Sequence, residues 1–124
     1  MIYWGSHLII NARRCNLAKM QSAPNILNFN TNLVHRIKMI PYGKPLLEMF
    51  GDGNKKGYTL CQLIMTSNIM AHFAEEDRTI YLDVFSCKDF SSEDVKAVVQ
   101  EYFEPEEIES LRVSRDSLLP MKLI

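Results

Sequence analysis

The sequence predicts an α+β fold: a two-layer α/β sandwich with a mostly antiparallel sheet, helices on one face, and sheets pairing in a dimer. Three observations carry that expectation. In residues 79–85 Ile80, Leu82 and Val84 alternate with Tyr81, Asp83 and Phe85, and several other segments are short apolar runs, both marks of strands. Only two segments, opening near Ser22 and Ser91, show helical spacing. Two helices cannot cover both faces of a sheet, so the second face must be wet or paired, and its apolar residues favour pairing.

Taken in order, His7 to Asn11 (HLIIN) reads as a first strand. A helix opens near Ser22, with Pro24 in its first turn, where a missing N–H costs nothing. Ile26, Phe29, Leu33 and Ile37 form its buried stripe, and it must end before Pro41, where Pro41-Tyr42-Gly43 reads as a turn. Leu46 to Phe50 is a short strand, and GDGNKKG (51–57) is turn chemistry that joins it to the next. Its glycines and lysines do not follow the order of a phosphate loop. Residues 58–66 read as a central strand, and 67–73 continue in extended form to a turn at Glu75-Glu76-Asp77. Thr79 to Phe85 is the clearest strand. Ser91 caps a second helix whose buried face is Val95, Val98, Val99, Tyr102 and Phe103, and Pro105 stops it. Leu111 to Val113 suggests a last strand.

Bulk features narrow the function. At 124 residues the chain is one domain, 1–124, too short for a dinucleotide-binding domain plus a substrate domain. Its net charge of −1 argues against nucleic acid, since neutralising phosphates needs a basic surplus. No apolar run approaches the ~20 residues of a membrane span, and MIYWGSHLII lacks the pattern of a signal peptide. Three cysteines without CxxC spacing point to a reducing, cytoplasmic setting rather than a disulfide framework. Three scattered histidines give no reason to propose a metal.

One constellation remains. Ser67, His72 and Cys87 lie within 21 positions, on segments expected to be neighbouring strands. Singly, each reads as readily as a structural residue, and residue type and spacing leave both readings open. The motif around them is more specific. Thr66-Ser67-Asn68-Ile69-Met70-Ala71-His72, then Tyr81-Leu82-Asp83-Val84-Phe85-Ser86-Cys87, resembles the bacterial-type S-adenosylmethionine decarboxylase proenzymes. Those carry a Ser, a His five residues on, and a Cys twenty residues after the Ser inside a D-h-F-[ST]-C pattern. Gly5-Ser6-His7-Leu8, His35-Arg36 and Pro41-Tyr42-Gly43 extend the resemblance over roughly residues 5–115.

The resemblance implies a precursor that cuts itself between Thr66 and Ser67 into a β chain, 1–66, and an α chain, 67–124. Ser67 would become a pyruvoyl group, the only cofactor, which forms a Schiff base with the substrate amine. By the same resemblance His72 transfers protons during processing, with Thr59 as a helper hydroxyl, and Cys87 donates the proton after decarboxylation. Glu76 would bind the ribose of S-adenosylmethionine, and the product would be the aminopropyl donor for spermidine. Homodimers of cleaved protomers would hold active sites at their interface. The chain departs from the pattern at Thr66, where the family carries an acidic residue, and in 37–40, where no aromatic stands to stack on adenine. Tyr42 and Phe50 are the substitutes, and ornithine, arginine or an uncleaved partner subunit are the alternative readings. Ser67 and His72 are an odd number apart, so a regular strand would point them to opposite faces, and a bend between them is expected.

Overall fold

The computed structural model describes residues 2–124, in which six strands form one sheet with three α-helices. The strands are β1 (Gly5–Arg13), β2 (Leu46–Phe50), β3 (Gly57–Ile64), β4 (Ser67–Ala74), β5 (Thr79–Ser86) and β6 (Glu107–Arg115). They lie in the order β2-β3-β4-β5-β1-β6, every neighbouring pair antiparallel. The helices are α1 (Leu17–Met20), α2 (Ala23–Arg36) and α3 (Ser92–Phe103). Ser22 and Ser91 cap α2 and α3 as their spacing predicts, accepting from the backbone N–H of Asn25 and Asp94 at 3.2 and 3.1 Å.

The period-2 pattern sorts the sheet into a dry and an open face. Leu8, Ile10, Ile69, Ala71, Phe73, Ile80, Leu82 and Val84 are buried against α2 and α3. Phe103 of α3 joins the layers, its ring 4.9 Å from Phe29 and 5.3 Å from Phe73. Each side chain of that size contributes about 1.5–3 kcal/mol by leaving water. On the other face Phe50, Leu63, Tyr81 and Leu111 are about half exposed. No helix among the described residues is long and apolar enough to cross a membrane.

Three expectations change. β1 and β6 run well beyond 7–11 and 111–113, because each completes the ladder of the other. The four-residue α1 is too short to leave a periodic signal. Most consequentially, residues 58–73 are not one extended stretch: β3 and β4 are a hairpin joined by Met65-Thr66 alone. Neither turn residue is Gly, Asn, Asp or Pro, so nothing in the composition marks the reversal.

Gly57 illustrates how tightly β3 enters the sheet. Its φ is 158°, and a Cβ there would collide with the carbonyl oxygen of Phe73 on the neighbouring strand. Gly57→Ala is expected to destabilise the fold by roughly 2 kcal/mol or more, read as a lowered urea midpoint at unchanged slope.

Candidate active site

The tight reversal at Met65-Thr66 leaves Ser67, the first residue of β4, at φ 148°. A non-glycine residue held there stores on the order of 1–3 kcal/mol of backbone strain. Its neighbours hold it firmly. Ser67 pairs in register with Ser86 at the end of β5, which pairs in turn with Ser6 of β1. The N–H of Cys87, one residue beyond β5, donates to the carbonyl oxygen of Thr66 at 2.9 Å. The carbonyl preceding Ser67 is thus polarised by an amide from the residue the sequence pairs with it.

The Thr66 side chain is also fixed. Lys88 N–H donates to Ser86 Oγ at 3.0 Å, Ser86 Oγ donates to Thr66 Oγ1 at 2.8 Å, and Thr66 Oγ1 donates to Met39 Sδ at 3.4 Å. Each hydroxyl has a single proton to give, and Met39 Sδ is an acceptor within reach of both, 3.4 Å from Thr66 Oγ1 and 3.8 Å from Ser86 Oγ. Gly5 admits the arrangement: a Cβ there would lie 2.7 Å from the Ser86 carbonyl oxygen and 3.2 Å from Cys87 Cα. Arg112 ties the following segment down, donating to Ser6 Oγ, the Phe90 carbonyl, Ser92 Oγ and Asp89 Oδ1, with its guanidinium over the Phe90 ring.

His72 lies elsewhere. The ladders of β4 with β3 and β5 run unbroken from Ser67 to His72, so the bend expected between them is absent. Five residues of strand separate the two by roughly 16 Å. Two complete flanking ladders leave no slack for a bulge, which is the physical reason the bend fails. Thr59 faces His72 in register, and their Oγ1 and Nδ1 are 2.7 Å apart. His72 Nε2 lies 2.7 Å from the Lys55 carbonyl oxygen, an acceptor only, so Nε2 carries the proton. The Thr59 hydroxyl then donates to Nδ1 of the neutral ring. Phe50 stands beside this pair, its centroid 6.1 Å from that of His72. Glu76 lies farther still, exposed in the turn between β4 and β5.

Near the Cys87 end the two motif segments meet, joined by Trp4, Arg115, Asp116 and Met121, for which the sequence offers no signal. His7 and Asp83 face each other across β1 and β5 at 2.9 Å, and Trp4 and Arg115 pack against Phe85. Trp4, Phe85, Arg115, Asp116 and Met121 line a cleft of about 400 Å³. The register of β1 with β5 brings them together, and single-strand patterns carry no register. Of the cysteines, Cys15 is buried, and burial pushes its thiol up to about 11. No group of three His, Cys, Asp or Glu among the described residues is arranged to hold a metal.

The family model for S-adenosylmethionine decarboxylase matches residues 6–116. Two curated relatives, both S-adenosylmethionine decarboxylase proenzymes of Clostridium botulinum, from strains Langeland and Okra, are each 28% identical over 102 residues. The match covers 82% of this chain and 84% of each of theirs. Among solved structures, the adenosylmethionine decarboxylase of Aquifex aeolicus superposes with a TM-score of 0.79 over 92% of both chains, at 18% identity, which shows a shared fold. The hydrogen bonds of His72 lead to a direct expectation. Its ring nitrogens should report the Nε2–H tautomer by NMR at pH 8, and Thr59→Val should retain that tautomer because Lys55 still accepts.

Proposed function

The chain belongs to the S-adenosylmethionine decarboxylase family, whose members are pyruvoyl-dependent carboxy-lyases, and we propose that it cuts itself between Thr66 and Ser67 and then decarboxylates S-adenosylmethionine in the cytoplasm. The product is the aminopropyl donor for spermidine. The observation that carries this reading is the peptide before Ser67: a strained serine whose preceding carbonyl accepts an N–H from Cys87.

Ser67 Oγ attacks the carbonyl carbon of Thr66 as the hydroxyl proton is removed. Negative charge builds on the Thr66 oxygen, where the Cys87 N–H already points, a one-donor oxyanion site. The C–N bond breaks, the Ser67 nitrogen takes up a proton, and an ester joins the two halves. Removal of the Ser67 Cα proton expels the Thr66 carboxylate and leaves dehydroalanine at 67. Hydrolysis releases ammonia and leaves the pyruvoyl group on the new amino terminus. Relief of the φ 148° conformation favours the break, because the severed residue no longer has to follow the turn.

The residues at this position fit such a group, since Ser67 heads its strand and Cys87 adjoins it through the Thr66 bond. The pyruvoyl group supplies a ketone that serves as electron sink for loss of carbon dioxide. Cys87 delivers a proton to the carbon left behind. Phe50, rather than Tyr42, is the aromatic suited to adenine, since it stacks beside His72 while Tyr42 lies in the strap along β3. Glu76 accepts the ribose hydroxyls from the same end of the strand, and carboxylate and aromatic together suit a cationic sulfonium.

His72 and Thr59 act on Ser67 of a second copy. The roughly 16 Å between them along one strand supports this assignment, as does the half-exposed apolar sheet face on which Thr59 and His72 stand in register with Phe50 close by. Pairing two such faces in a homodimer carries the His72 end of one sheet to the Ser67 end of the other.

Intact mass after incubation should resolve fragments 1–66 and 67–124, with carbon dioxide released from S-adenosylmethionine and not from ornithine or arginine. A single 14.4 kDa species would overturn the reading. Ser67→Ala should abolish cleavage, whereas Cys87→Ala should cleave yet lose at least about tenfold in decarboxylation. Mixing Ser67→Ala chains with His72→Ala chains should restore cleavage of the latter. Failure to complement in a mixed dimer would confine the site to one protomer.

A further inference from the structure

A second cleft, of about 410 Å³, lies on the helix side of the sheet between α2 and the 39–45 segment. Its polar wall is a pair of amides whose orientation is determined by their partners. Gln62, 1% exposed, gives its two amide hydrogens to the carbonyl oxygens of Leu63 and Gly43, at 2.7 and 3.2 Å. Its Oε1 must therefore accept, and it takes a hydrogen from Asn30 Nδ2 at 2.8 Å. That bond leaves Asn30 Oδ1 as a buried acceptor that meets no donor among the described residues, on a residue only 2% exposed. Val34, Met39, Pro41 and Pro45 supply an apolar lining. Lys44 and His35 are exposed at the rim, and no carboxylate lines the cleft.

We infer that this cleft binds a small amphipathic anion: an apolar body with an N–H or O–H donor for Asn30 Oδ1 at one end and a carboxylate for Lys44 at the other. The volume lies in the range of small-molecule sites, and a few convergent polar groups in an apolar wall are their usual make-up. A cationic sulfonium has the wrong charge for it, and the sheet separates it from the open face. Met39 forms part of the wall and also holds the Thr66 hydroxyl through its sulfur. A ligand seated there alters the contact that orients Thr66, and so the rate at which the Thr66–Ser67 peptide converts; this coupling rests on the self-cleavage reading above.

The test uses 4-hydroxyphenylacetate and the Ser67→Ala chain, which stays whole whether or not the native chain cuts itself. Saturable NMR shifts confined to the Asn30 and Gln62 side-chain amides and the Met39 methyl are expected. Phenylacetate, which lacks the hydroxyl, should bind at least fivefold more weakly, as should 4-hydroxyphenylacetate to K44E in the same background. Absence of saturable shifts at these groups overturns the site, and equal affinity of the two compounds overturns the role of Asn30. In the native chain a saturating probe should change the cleavage rate at least twofold. Cleavage at an unchanged rate overturns the coupling, whereas a chain that never cleaves counts against the proposed function and leaves the binding result standing.

Discussion

A two-residue reversal without a glycine governs much of this structure. β3 must turn directly into β4 across Met65-Thr66, and the positive φ that a glycine would absorb falls on Ser67 instead. Such a conformation persists only where its surroundings over-determine it. Here the surroundings are specific. The Cys87 amide holds the Thr66 carbonyl, the Ser86 hydroxyl holds the Thr66 side chain, and the 40–42 strap bonds to Leu63 and Met65. Arg112 and Gly5 then keep the Ser86–Cys87 end in place. Strain at one peptide thus accounts for several contacts that would otherwise look like unrelated loop detail.

The two ends of β4 carry different sets of groups. Near Ser67 the contacts are with backbone and hydroxyl groups and surround Thr66, at its carbonyl oxygen and its side chain. Near His72 stand an imidazole of defined tautomer, a hydroxyl, an aromatic ring and an exposed carboxylate one turn away. A continuous strand holds these two sets apart in one protomer. The open, partly apolar face on which His72 stands is what a second sheet would cover, and such burial would also relieve the exposure of Phe50, Leu63 and Tyr81.

Much of the fold was legible in the chain. The alternation of Ile80, Leu82 and Val84, the stripe from Ile26 to Ile37 and the caps Ser22 and Ser91 are local patterns, and local patterns survive without tertiary knowledge. The hairpin at Met65-Thr66 was not, because its turn carries none of the usual residues. Site legibility followed the same line. The adjacency of Ser67 and Cys87 and the pairing of Thr59 with His72 agree with motif spacing, since both arise from neighbouring strands. The odd spacing of Ser67 and His72 does put them at positions on opposite faces of β4, but the bend that would reunite them is forbidden by two flanking ladders. Met39, Arg112, Asn30 and Gln62 gave no sequence signal at all. Their importance comes from register and from counting hydrogens, neither of which exists before the chain is folded.

The strand order has a consequence for the life of the molecule after any cut at 66. Fragment 1–66 would hold β1, β2 and β3, and fragment 67–124 would hold β4, β5 and β6. In the sheet these do not lie as two blocks, because β1 is threaded between β5 and β6. The pieces would be interleaved, and neither could leave without tearing a central strand from both neighbours. Such a product keeps an architecture that only the continuous precursor assembles by an intramolecular route. Once melted, its recovery would become a second-order encounter of two incomplete sheets with exposed edges, slow and prone to aggregation. The durability of the cut form would then be a matter of unfolding rate rather than equilibrium.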